Sequence, residues 1–163
     1  MEGGAYPILP YDYSNVFCFW SKGKSRDYPM VICFSKLDDS ILREKGRSIS
    51  GLTVQNLGLL ASTDNTFHDI ESFSDKVETK NGDMDKIFNT VANVSSDYLT
   101  NNPEHTLFIS GATVSRHRKF SMALSSSLQF MNENGYNVLG HIEKKIEPFS
   151  ANTKYDFYLI NKR

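Results

Sequence analysis

The chain is poor in the residues that announce a chemistry. Its 163 residues include two cysteines, Cys18 and Cys33, and a single tryptophan. Two cysteines without a close histidine pair make no zinc pattern. Each lies in an apolar run, so buried free thiols are expected rather than a disulfide between adjacent strands. The four histidines, His68, His105, His117 and His141, show no metal-ligand spacing, and no H-E-x-x-H occurs. No metal and no cofactor is therefore expected. The G-x-x-x-x-G-K-[ST] phosphate loop and the G-x-S-x-G nucleophile turn are also missing. Paired carboxylates, Asp38 with Asp39 and Asp83 with Asp85, fall in a loop and at a helix start, where solvation or capping accounts for them. No apolar run approaches the roughly 18 residues of a membrane span. The N-terminus has neither a basic n-region nor an apolar h-region. A cytoplasmic chain without membrane contact is the expectation.

Charge of one sign is missing too. The net charge is −1 and the pI about 6.4, which argues against a dedicated nucleic-acid coat. The charge is nonetheless uneven. Residues 64–85 carry seven acidic side chains against Lys76 and Lys80, and residues 116–163 carry eight basic against four acidic. Such asymmetry bears on partner choice.

What remains is an ordinary globular composition: 39% hydrophobic, 23% charged and 12% aromatic. That excludes wholesale disorder and favours sheet. The length suits a single domain over 1–163, with an irregular lead-in at 1–10 and an acidic loop at 62–82. Apolar runs predict strands at 16–20, 30–34, 52–60, 106–109, 136–142 and 155–160. A helical turn is expected at 41–45 and an edge strand at 73–79. Helical periodicity predicts one helix from Asp83 to about 101 and another over about 114–132. The second has Phe120, Leu124, Leu128 and Met131 as its inner stripe. The order β-β-β-α-β-α-β-β implies an α+β fold, with a mainly antiparallel sheet and two principal helices packed on one face.

Chemistry concentrates at residues 105–120. Leu107, Phe108 and Ile109 end a strand, Gly111 permits a sharp turn or close approach, and Thr113 opens a helix. Arg116, His117, Arg118 and Lys119 follow at once. A helix start directs amides and a positive dipole end into one small volume, which suits an anion. The candidate anion-binding set is Gly111, Ala112, Thr113, Arg116, Arg118 and Lys119, with His117 as a candidate acid or base. Arg118 lies about 200° round the helix from Arg116, so the two do not share a face. Arg116 is therefore the expected ligand, and Arg118 the expected packing and ion-pair residue. A plain strand-to-helix turn with a solvated basic face is the competing reading.

The stretch from Ile109 to Phe120, Ile-Ser-Gly-Ala-Thr-Val-Ser-Arg-His-Arg-Lys-Phe, resembles a small uncharacterised bacterial family, a domain of unknown function. Its members carry Gly-Ser/Ala-Thr-x-x-Arg-x-Arg-Leu-Tyr after a strand. Residues 85–92 also resemble that family's preceding helix. Lys119-Phe120 replaces Leu-Tyr here and keeps one aromatic. The resemblance implies a cytoplasmic bacterial protein of unassigned activity. It adds weight to Gly111, Thr113, Arg116 and Arg118 without supplying a catalytic residue.

Phe17, Phe19, Trp20 and Phe34, flanked by Lys22, Lys24 and Arg26, are either core or a base-stacking platform. The leading functional expectation is a non-catalytic binding or regulatory domain. It contacts a phosphate-bearing ligand, nucleic acid or a protein partner through residues 111–119. Two rivals stand beside it. One is an enzyme acting on a phosphorylated small molecule or nucleic acid. The other is a protein-interaction subunit of a bacterial toxin–antitoxin or defence system. The enzyme requires a carboxylate or histidine converging on the turn. The interaction subunit requires exposed apolar surface.

Overall fold

A computed structural model describes residues 4–11, 13–37 and 53–162. Its elements are β1 (Val16–Ser21), β2 (Tyr28–Lys36), β3 (Thr53–Ala61), α1 (Met84–Asn101), β4 (His105–Ile109), α2 (Val114–Glu133), β5 (Tyr136–Ile142), β6 (Lys145–Pro148) and β7 (Phe157–Lys162). The fold is α+β, and the seven strands run β1-β2-β3-β4-β7-β5-β6. The pairs β1–β2, β4–β7, β5–β7 and β5–β6 are antiparallel, and β3–β4 is parallel. A parallel neighbour needs a long crossover, and α1 supplies it between β3 and β4. The helical turn expected at 41–45 lies outside the described residues.

Two sequence expectations fail locally. No strand forms at 73–79; the segment makes only a bridge, Ala61 to Ser74. Strand β6 was not expected. It joins β5 through Glu143 and Lys144, whose φ values are 51° and 64°. A two-residue turn with both φ positive matches the strand twist, but it is normally signalled by Asn-Gly or Asp-Gly. Here it is built from Glu-Lys, so the usual signal is missing.

The chain divides into two units, 1–34 with 58–98 and 35–57 with 99–163. In the first, β1 and β2 alternate between two faces. Phe17 packs on Phe34, Phe34 stacks on Tyr98 of α1 at 4.1 Å, and Tyr6 stacks on Phe19. On the other face Cys18, Val31 and Phe73 pack with Leu9, Tyr11, Phe67 and Ile70. The aromatic platform is thus resolved as core for Phe17, Phe19 and Phe34. Trp20 meets Phe67 edge-on, and Lys22 is paired with Asp27 at 3.1 Å. Asp83, expected as an N-cap, accepts hydrogen bonds at Oδ2 from Tyr6 and Ser21 as well as opening α1 through its carbonyl. Both cysteines are free. Cys18 opposes Val31 and Cys33 opposes Val16, so the thiols are offset rather than directly opposite. Cys18 is buried and Cys33 half-buried.

The second unit also covers both faces of its strands. Leu37, Val54, Phe108, Phe157 and Leu159 cluster on one, with Leu139 and Ile146 against them. Tyr158 alternates to the other face, where His117 of α2 stacks on it at 5.0 Å.

Candidate functional site

Strand β4 ends at Ile109 and α2 begins at Val114, so residues 110–113 make the whole connection. Thr113 is the N-cap with extended backbone (φ −124°, ψ 159°), and its hydroxyl accepts the Arg116 amide at 3.1 Å. This is the cap its position and residue type predict. Gly111 is required for space. A Cβ there would collide with the backbone of Arg116 and His117. The glycine lets the entering chain lie against the first helical turn.

His117 locks that geometry. Its Nδ1 accepts the Gly111 N–H at 3.2 Å, so Nε2 carries the proton and donates to the Tyr155 carbonyl at 2.7 Å. Its ring lies flat on Tyr158, 5.0 Å between centres. Tyr158 is hydrogen-bonded to Ser121, and burial holds its phenol above the ordinary tyrosine range. Tyr155 lies flat across Gly140, where any side chain would collide with it. Both nitrogens of His117 are occupied by backbone groups, and the imidazole is a strut between the turn and the segment entering β7.

The cations around this strut differ in placement. Arg116 is half-buried and engaged, Lys119 is half-buried, and Arg118 is exposed. The ion pair expected for Arg118 is absent among the described residues. It sits on the outward side of α2. Ala112, Val114 and Ser115 are exposed. The Val114 and Ser115 amides find no hydrogen-bond partner among the described residues. No acidic residue lies in the first turn of α2. The turn therefore presents two open amides, a dipole end and the exposed Arg118.

Two supports were invisible in the sequence. Tyr155 and Tyr158 are brought to the turn by β7, with His117 and Tyr155 38 residues apart. His141 is the other. It is buried on β5, its Nδ1 bonds Asp156 Oδ2 at 2.8 Å, and its ring stacks on Phe157 at 4.6 Å. Its Nε2 is buried without a partner among the described residues. His117 and His141 thus hold consecutive residues, Tyr155 and Asp156, and only pairing across the sheet reveals it. Among the described residues no three His, Cys, Asp or Glu side chains converge as a metal site. No described helix is long and apolar enough to cross a membrane.

No curated protein and no solved structure matches the chain. The model of a family of unknown function, DUF6934, matches residues 3–163, and the chain belongs to that family.

Proposed function

We propose that the chain is a non-catalytic binding domain whose α2 first turn, residues 111–119, takes an anionic group of its ligand or partner. The observation that carries this reading is the electrostatic mismatch of the turn. A helix start favours acidic side chains, yet α2 has none there and carries Arg116 and the exposed Arg118 instead. An incoming phosphate or carboxylate pairs with the open Val114 and Ser115 amides and with a neighbouring cation. The rigidity of the turn supports binding over chemistry. His117 is engaged at both nitrogens, so it has no free site for proton transfer.

Inorganic phosphate titrated into labelled protein, followed by amide NMR, tests this. The Val114 and Ser115 amides are expected to shift and saturate. Arg116→Ala or Arg118→Ala is expected to weaken binding at least tenfold, the loss of one charge-assisted contact of roughly 1.5–3 kcal/mol. Amides that stay still throughout the titration would remove the reading.

A further inference from the structure

Helix α2 is under-anchored for its length. Of its 20 residues Phe120 and Leu124 are buried, while Val114 (90%), Met122 (61%) and Phe130 (64%) are exposed. Those three stand eight residues apart in one i, i+4 row, with Met122 at the midpoint. Such a row drifts about 40° per step round a helix. Met122 therefore sits at the crest, opposite the buried pair, with Val114 and Phe130 on the two flanks. Rows of this kind interlock when two helices cross obliquely, at about −50°.

The charges indicate what crosses it. Helices favour acidic residues near the N-terminus and basic ones near the C-terminus. Helix α2 has the opposite: Arg116 in an acid-free first turn, and Glu133 in a last turn without a basic residue. Gln129 holds the Glu133 carboxylate at 3.0 Å, on the same outer side as Met122. A second α2 running antiparallel corrects both ends at once. Reflection about Met122 sets Val114 against Phe130 of the second copy. It also brings Glu133 towards the exposed Arg118 of the second copy, on the same outer side as Met122. A pattern that maps onto itself by this reflection is what a twofold contact requires.

We infer that α2 is a self-association helix, pairing antiparallel with α2 of a second copy of this chain about a twofold axis at Met122, each Glu133 supplying a carboxylate to the other's exposed Arg118. This rests on the anion-binding reading of that turn and names its occupant. Sedimentation of the full chain over the micromolar range tests it. A dimer is expected, weakened at least tenfold by Met122→Asp and dissociated by added inorganic phosphate, which competes with Glu133. Met122→Cys is expected to form an interchain disulfide under mild oxidation, because the two copies of residue 122 meet at the axis; Lys24→Cys, in an exposed turn, is expected not to. Glu133→Lys and Arg118→Glu each weaken association, and together they restore it. A monomer at every concentration, or a dimer indifferent to Met122→Asp, overturns the inference. A dimer that needs Met122 but ignores Glu133→Lys overturns the carboxylate contact. Phosphate titration of the Met122→Asp variant separates the two readings. If its Val114 and Ser115 amides shift while the wild-type chain stays monomeric, the anion site stands and self-association falls.

Discussion

Helices α1 and α2 are close in length, 18 and 20 residues, and opposite in use. Helix α1 buries Ile87, Val91, Val94, Tyr98 and Leu99, and even its polar Asn89 and Thr90 are buried. Those two polar side chains hold the N-terminal segment, Asn89 through the Gly4 carbonyl and Thr90 through the Tyr6 amide. Its first turn carries Asp85, as the helix dipole favours. Helix α2 buries two residues, exposes three large apolar ones, and begins among cations. Helix α1 serves the core. Helix α2 instead leaves three large apolar side chains in solvent and has no acidic residue in its first turn.

The comparison breaks most readily in the core. Ile87→Ala on α1 is expected to destabilise by about 2–5 kcal/mol, whereas Met122→Ala on α2 should stay within about 0.5 kcal/mol in dilute protein. Urea unfolding of the two variants decides it, and equal losses would remove the distinction. Next in size is Gly111→Ala. Its added carbon meets the Arg116–His117 backbone, so a loss of about 1–3 kcal/mol is expected. Thr113→Ala removes the cap of α2 and should lower stability by about 1 kcal/mol. Thr113→Ser, which keeps the hydroxyl, is expected to recover most of it.

The smallest effect sharpens the contrast from the β1 side. Burial pushes the Cys18 thiol from 9.0 up to about 11. A raised thiol pKa means that the unfolded chain loses its proton first. The contribution to stability is therefore intact below about pH 9 and declines as the pH rises towards about 11. Tyr6, also held above its usual range chiefly by burial, acts in the same direction. Unfolding measured from pH 8 upward should show the alkaline decline, with a shallower slope for Cys18→Ala than for the wild-type chain. In the native protein both thiols should label slowly, Cys18 the more slowly because it is the more buried.

Local chemistry was legible along the chain wherever one short segment settled it. The apolar period placed α1 within a residue of Met84–Asn101, and the Thr113 cap and close Gly111 turn were readable from residue type and spacing. Sheet alternation marked Cys18 as a core residue, and free thiols followed from apolar surroundings. Strand β6 escaped because its turn uses positive φ at Glu143 and Lys144, residues that carry no turn signal. The tertiary structure alone decided what each cation and imidazole does. Arg116 and Arg118 differ by about 200° on a helix, which spacing shows, but which of them faces solvent depends on where Phe120 and Leu124 are buried. His117 looks like a free acid or base until pairing of β4 with β7 brings in Tyr158 and, just before it, Tyr155, and the ring becomes a strut. Periodicity and capping are fixed by neighbours within about four residues. The partner of a side chain is fixed by whichever distant strand the sheet sets beside it, and no local pattern encodes that.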